Sequence, residues 1–221
     1  MARSFNGTTD KGSFTTGLTL AQSLATVSFW GWTNSTASTR TFVEWGDFVA
    51  ITGFLIETIA TPLGVIGMNG GSGIWSDGFT VPSSGAWHHW LVQFDFTTPR
   101  NRVWIDGVAQ TLSARTHTMT ATTYTNQATL LGNSVAAGGG LAGKMAEVTM
   151  WYGVLLGQSF ATALAAGAAS VSVHPDTIMF YAPLLGNSPE TDLSSGQHSV
   201  TLTGTSVTTH PGIQSANVNT A

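Results

Sequence analysis

The apolar residues of this 221-residue chain come in short runs that alternate with polar positions and end at Gly, Asn, Ser or Pro. A β-strand points successive side chains to opposite faces, so this alternation predicts many short strands rather than helices. The pattern occurs at 26–32, 41–45, 48–53, 63–68, 87–94, 102–105, 129–132, 147–152, 178–182 and 199–203. We therefore expect an all-β fold, a sandwich of two antiparallel sheets.

Turn and helix signals add detail to this sandwich. Asp106-Gly107 follows an apolar run and predicts a tight hairpin over 102–110. The segment 157–166, rich in Ala and Leu and followed by Gly167, predicts one short helix. The sequence becomes rich in Thr, Ser and Asn near its end. We expect one domain over 1–205 and a polar C-terminal tail or arm over 206–221.

Charge is scarce, at 8% of residues against about 25% in an average soluble protein. The net charge of −4 and the lack of a basic block argue against nucleic acid and membrane as partners. Eight Trp and eleven Phe favour a packed core over disorder. The chain has no Cys, so disulfides and thiolate metal sites are excluded. Residues 1–7 lack the apolar core of a signal peptide, which predicts synthesis in a host cytoplasm.

Tryptophan occurs on faces that should be exposed. In 26–32, Trp30 and Trp32 lie on the face opposite Val27 and Phe29, and both faces are therefore apolar. Trp151 lies on the otherwise polar face of 147–152. A Trp on an outer face indicates a contact with another surface. Trp30, Trp32 and Trp151 are therefore candidate inter-subunit contacts.

Several segments, in order along the chain, resemble the laminin G-like, concanavalin A-like family of jelly-roll sandwiches. They are 4–10, 25–30, Trp87-His88-His89-Trp90, the Val103–Gly107 hairpin, 131–133 with 141–148, and 181–184 with 192–196. The resemblance covers about residues 4–205 and implies a concanavalin A-like jelly roll. That family includes glycan-binding modules, hydrolase-attached domains, adhesion domains and phage virion proteins, so the function depends on individual sites.

Catalytic signatures are weak. Glycoside hydrolases need two carboxyl groups facing one cleft, and the nearest pair, Glu44 and Asp47, has an odd spacing that sends them to opposite faces of a strand. His88 and His89 are neighbours and cannot chelate one ion for the same reason. No Gly-x-Ser-x-Gly elbow is present. We predict no enzyme activity and no cofactor.

Ligand sites have one candidate in 73–78. An exposed Trp75 can stack on a pyranose while Asp77 accepts hydrogen bonds from its hydroxyls. The alternative is a core Trp at the start of a strand, followed by an Asp-Gly turn. The loop acids Asp47, Asp77 and Asp106 are too far apart in sequence to predict a calcium site, and His117, His174, His198 and His210 are interpreted as surface histidines.

Two functional hypotheses follow. The first is a bacteriophage capsid decoration protein on the virion surface, a homo-oligomer, with a trimer as one arrangement, that contacts the major capsid or another virion protein. Outward Trp side chains and a charge-poor surface favour it. The second is a carbohydrate-binding, lectin-like module or a tail receptor-binding protein, whose partner is a surface glycan at Trp75 and Asp77.

Overall fold

The computed structural model describes residues 1–14, 23–35, 38–46, 52–59, 63–70, 73–121, 129–134, 139–186, 188–195 and 198–212. The first eight strands are β1 Ala2–Asn6, β2 Lys11–Phe14, β3 Leu24–Thr33, β4 Arg40–Trp45, β5 Thr52–Ile59, β6 Leu63–Gly70, β7 Ile74–Thr80 and β8 Trp87–Asp95. The others are β9 Arg100–Ile105, β10 Val108–Ala109, β11 Ser113–His117, β12 Thr129–Leu131, β13 Ala142–Tyr152, β14 Ile178–Ala182, β15 Val200–Thr203 and β16 Ser206–Thr208. One α-helix, α1 Gln158–Ala165, follows β13.

The strands form two antiparallel sheets. Sheet A has the order β10-β9-β8-β3-β13-β1-β16, with β14 also paired to β13, and sheet B has the order β11-β7-β6-β5-β4-β12-β2-β15. The core between them consists of apolar side chains that alternate along each strand, including Phe29, Phe54, Trp90 and Phe94. The predicted all-β sandwich with one short helix is confirmed.

The outer face of sheet A carries a second apolar layer. The segment 153–177, which contains α1, folds back over this face. The residues buried there are Leu91, Trp104, Trp151, Leu156, Ala161, Leu164, Val173, Ile178 and Tyr181. The Trp151 indole is 0% exposed, and its Nε1 donates to the Val173 carbonyl at 2.7 Å. The prediction of Trp151 as an inter-subunit contact is therefore wrong, because the same chain covers it.

Two turn signals have different outcomes. Asp106 and Gly107 form the predicted hairpin turn between β9 and β10, and both have the positive φ values that a tight two-residue turn requires, 51° and 77°. Asp77-Gly78 instead lies inside β7. A Cβ at Gly78 would lie 2.8 Å from the terminal methyl of Leu63, so a larger residue there would have to displace that side chain. A glycine chosen for close packing resembles a turn glycine in sequence.

The ends of two predicted segments need adjustment. Residues 206–208, predicted to begin the tail, form β16 and pair with β1 at the edge of sheet A. The sandwich thus extends past residue 205, while residues 213–221 lie outside the described part. The predicted strand at 48–53 falls mostly on residues outside the described part, and β5 begins at Thr52. In the described part, no helix is long and apolar enough to cross a membrane.

Candidate functional site

A concavity of about 380 Å³ opens where the edges of the two sheets meet. It lies between β7 of sheet B and β9 of sheet A, beside the 110–112 segment that crosses from one sheet to the other. The lining residues are Trp75, Asp77, Arg100, Asn101, Arg102, Val103, Trp104, Ala109, Gln110 and Leu112. We call this site the edge concavity. Its volume lies in the range typical of small-molecule sites.

Trp75 and Asp77 enter the concavity together because they are two residues apart on β7 and so share a face. The neighbouring strand β11 places His117 directly opposite Trp75 in the register. The imidazole stacks on the indole, with ring centroids 3.7 Å apart and an interplanar angle of 8°. One indole face is therefore covered by His117. Trp75 is half-buried and also packs against the core, so part of the alternative interpretation as a core Trp holds.

A buried hydrogen-bond network fixes the Asp77 carboxylate. His117 Nε2 donates to Asp77 Oδ1 at 2.8 Å, and Asn101 Nδ2 donates to Asp77 Oδ2 at 2.8 Å. Asp77 is 5% exposed and Asn101 3% exposed. Each carboxylate oxygen thus has a donor from a different strand, which offsets the cost of burying its charge.

The side-chain oxygen of Asn101 has no hydrogen-bond partner among the described residues. Its orientation follows from Asp77, because a carboxylate accepts hydrogen bonds and so requires the NH₂ group of the amide to face it. A buried acceptor without a donor costs about 1–3 kcal/mol. Asn101 also lines the edge concavity, but the oxygen itself has almost no accessible surface, so a ligand can supply the missing donor only by displacing the atoms that cover it.

The outer side of the concavity is formed by basic and amide side chains. Arg100 is exposed and Arg102 is half-buried. The Trp104 indole is fixed by α1, because its Nε1 donates a hydrogen bond to Gln158 Oε1 at 2.8 Å. The half-buried Gln110 main chain donates to the Val103 carbonyl at 2.8 Å. This side of the concavity therefore combines the hydrogen-bonded Trp104 indole with the more exposed side chains of Arg100 and Arg102.

The described lining of this site contains several groups that can bind a ligand and one carboxylate. Asp77 is the one carboxylate among the residues that line the concavity. Retaining and inverting glycosidases both need a second carboxyl group in the same cleft. Asp77 is also tied to Asn101 and His117. The site therefore offers hydrogen-bond acceptors, donors and aromatic surface, but no acid and base pair.

A Ser-His pair lies elsewhere, on the outer face of sheet A. Ser28 Oγ and His89 Nε2 are 2.8 Å apart, and burial lowers the pKa of His89 to about 4. Both residues are almost fully buried, and no described group hydrogen-bonds His89 Nδ1. A catalytic triad needs a carboxylate at that nitrogen and an open path for substrate. This pair has neither, and we assign it a structural role.

The sequence pairs Glu44 with Asp47, but Asp47 lies outside the described residues. The acidic residue that interacts with Glu44 in the described part is Glu57. On the adjacent strand, burial raises the pKa of Glu57 to about 7; the charge of Glu44 adds to this rise, and Arg115 opposes it. A glycosidase needs two carboxyl groups that a sugar can reach in one cleft. Glu44 is 0% exposed, however, so a sugar cannot reach this pair.

The remaining aromatic candidates on sheet A are only partly exposed. Lys144 Nζ lies 4.6 Å from the centroid of the Trp32 ring. The Trp30 ring makes an edge-on contact with His89, with centroids 5.3 Å apart. Both indoles are half-buried. Each indole already has a partner within the chain, and the role of Trp30 and Trp32 as inter-subunit contacts stays a prediction.

The sequence does not indicate the contacts that the histidines make. His117 is exposed, in agreement with its interpretation as a surface residue, and it also hydrogen-bonds Asp77 and stacks on Trp75. His210 Nε2 lies 3.0 Å from Glu147 Oε1, which ties the last described residues to sheet A. Neither contact has a local sequence signal, because the partners are far apart along the chain.

Metal ligands do not gather in the described part of the chain: no three His, Asp or Glu side chains there lie close enough to hold an ion. Asp106 is engaged at the far end of β9, where its Oδ2 lies 2.6 Å from His88 Nδ1 and its Oδ1 accepts from the His89 main chain at 2.9 Å. Asp77 belongs to the edge concavity. The two acids therefore serve separate sites.

The chain has a laminin G-like, concanavalin A-like jelly-roll fold, as the sequence resemblance implied. It is similar to a putative carbohydrate binding protein from Bacteroides ovatus, with a TM-score of 0.69 and 15% identity, covering 97% of this chain and 62% of that one. No protein-family model matches the sequence, and no curated protein matches it.

Two further solved structures share the fold. Domains LG4-5 of the mouse laminin alpha1 chain match with a TM-score of 0.52 and 14% identity, covering 67% of this chain and 40% of that one. The CBM40 of Ruminococcus gnavus IT-sialidase, bound to alpha2,3 sialyllactose, matches with a TM-score of 0.54 and 10% identity, covering 75% and 98%. At these identities the likeness establishes the fold, and function has to be argued from the site.

Proposed function

We propose that this chain is a non-catalytic carbohydrate-binding module and that the edge concavity is its ligand site. The observation that carries the proposal is the unpartnered, buried Asn101 oxygen in a concavity that is also lined by the Trp75 ring. Sugars have hydroxyl donors beside apolar C–H faces, so one ligand can satisfy both features. Carbohydrate-binding proteins among the structures of the same fold support this choice.

The polar groups are well placed to select a sugar. Asp77 and Asn101 are held rigidly by each other before any ligand arrives, so binding does not have to order them. A site with a buried acceptor discriminates against ligands that lack the matching donor, because the acceptor would then stay unpaired. Specificity in this site would therefore depend on a hydroxyl or N–H group at one ligand position.

The experiment is a glycan-array screen followed by calorimetric titration of the best ligand. Trp75→Ala should weaken binding by about tenfold or more, since it removes the aromatic surface. Trp87→Ala is the matched control, because Trp87 is also half-buried but lies on sheet A away from the concavity. Near-ultraviolet circular dichroism establishes that both variants fold. The proposal fails if the wild type binds no glycan, or if both variants lose affinity equally.

The capsid decoration role stays a prediction, as do the virion location and the homo-oligomer. It rested on outward Trp side chains that a neighbouring subunit would cover. Trp151 no longer supports it, since α1 and the following segment bury that side chain. Trp30 and Trp32 keep part of their surface exposed. Light scattering of the purified chain at high concentration tests the oligomer directly.

A further inference from the structure

The edge concavity is lined by residues from both faces of one strand. Val103 of β9 packs into the core between the sheets, and Trp104 packs on the outer layer of sheet A. By alternation, Asn101 faces inward with Val103, while Arg100 and Arg102 face outward with Trp104. A single cavity can reach both faces of a strand only if it runs along the edge of that strand.

This edge of β9 is open because its neighbour β10 contains two residues. β10 pairs with Ile105 and Trp104, and the last main-chain bond joins Gln110 N–H to the Val103 carbonyl at 2.8 Å. Main-chain groups face one edge at every second residue of an antiparallel strand. The next groups on this edge are therefore those of Asn101, and no strand in the described part of the chain pairs with them there.

Two cations flank this open edge. Neither Arg100 nor Arg102 has an acidic partner within 4.0 Å among the described residues. Asp95 lies opposite Arg100 in the register, but its Oδ1 accepts from the main chains of Thr97 and Thr98. Asp77, on the inner side, is held by its two donors. The outer side of the concavity thus has two guanidinium groups that form no ion pair with a described residue, although Asp95 lines a small neighbouring pocket with both. The whole chain has only seven Lys and Arg residues.

We propose that the edge concavity selects an anionic sugar. A carboxylate or sulfate of the ligand binds Arg100 and Arg102 on the outer side of β9, and a ligand hydroxyl donates to Asn101 Oδ1 on the inner side. Arginine suits this role because its planar group forms paired hydrogen bonds with carboxylate and sulfate oxygens. This inference rests on the proposed glycan-binding function and adds the charge class of the ligand.

The test uses an array that carries neutral, sialylated, uronic-acid-containing and sulfated glycans. We expect the wild type to bind anionic members, and the double variant Arg100→Gln with Arg102→Gln to lose about tenfold or more of that affinity. The double variant Lys11→Gln with Lys144→Gln is the matched control: it removes the same two positive charges from β2 and β13, and neither residue lines the concavity. It should bind as the wild type does.

Salt dependence gives a second readout that a folding defect would not mimic. Affinity of the wild type for an anionic glycan should fall as NaCl rises from about 0.05 to about 0.5 M, and the double variant should show a weaker dependence. Binding of neutral glycans with no preference for anionic ones, unchanged in the double variant, overturns the charge assignment and leaves the glycan site standing. Absence of binding to every glycan overturns both.

Discussion

His117 lies flat on Trp75, with ring centroids 3.7 Å apart, and the same imidazole donates to the buried Asp77 carboxylate. A single residue of β11 thus contacts both Trp75 and Asp77, the aromatic and the acidic residue that β7 contributes to the edge concavity. Its side chain is 30% exposed, and it lies behind Trp75 and Asp77 rather than in the lining of the concavity. The two functions of His117 can be separated by substitution.

His117→Phe keeps an aromatic ring against Trp75 but removes the donor to Asp77. We expect a loss of about 1–2 kcal/mol in the free energy of unfolding, because a hydrogen bond to a buried charge is lost. His117→Ala should cost about 0.5–1.5 kcal/mol more, since the ring contact is lost as well. Urea denaturation followed by Trp fluorescence measures both. A Phe variant as stable as the wild type would contradict the assigned hydrogen bond.

Glu57→Gln should stabilise the protein at alkaline pH and have little effect at acidic pH. The pKa of Glu57 is raised to about 7, chiefly by burial, so the folded state holds a proton that the unfolded state releases near pH 4.5. The stability from this group is complete below pH 4.5 and is lost as the pH rises through 7.

Partial exposure of Glu57 limits the effect to about 1–3 kcal/mol at pH 8.5. Urea denaturation at pH 5 and pH 8.5 measures it. Asp176→Asn is the control, because it removes an exposed carboxylate from the 3₁₀ turn that precedes β14. An equal gain at both pH values for Glu57→Gln would show that burial of the charge is not the cause.

His89 should make the protein sensitive to acid. Burial lowers its pKa to about 4, with a smaller opposing effect from Asp106, so the unfolded state takes up a proton at a higher pH than the folded state does. The stability from neutral His89 is present above pH 6.5 and is lost as the pH falls towards 4, by up to about 3 kcal/mol.

The acid sensitivity can be assigned to this residue with His89→Gln, which keeps a polar group beside Ser28 but does not titrate. Its free energy of unfolding should fall less than that of the wild type between pH 6.5 and pH 4. Nuclear magnetic resonance provides the direct check, because the ring-proton shifts of a neutral, buried His89 stay constant down to about pH 5. A midpoint near 6.5 would rule out this environment.

Trp151→Phe should lower the free energy of unfolding by about 1–3 kcal/mol, since the Val173 carbonyl loses its donor and the smaller ring leaves a cavity. Trp87→Phe, at a half-buried indole, should cost less than about 1 kcal/mol. Chemical denaturation measures the stabilities, and light scattering the mass. A change of oligomeric state in Trp151→Phe alone would restore this residue as an inter-subunit contact.

Part of the candidate site could be predicted from the sequence. Trp75 and Asp77 were identified because they are close along the chain and have complementary chemistry, and both line the edge concavity. The sequence does not indicate Asn101 and His117. Each lies on a different strand, β9 or β11, and comes within hydrogen-bonding distance of Asp77 only when the sandwich has folded. An Asn between two arginines, or a His on an exposed strand, has no local pattern that indicates such a contact.

Local patterns along the chain predict most of the elements: short alternating runs predict strands, Asp106-Gly107 predicts a hairpin, and 157–166 predicts a helix, since each depends on residues close in sequence. Which surfaces stay open depends instead on how distant segments pack against each other. The return of 153–177 over sheet A closes the face that holds Trp151, and the two-residue length of β10 leaves the edge of β9 open beside Asn101. Both depend on contacts between segments distant in sequence, which local periodicity does not encode.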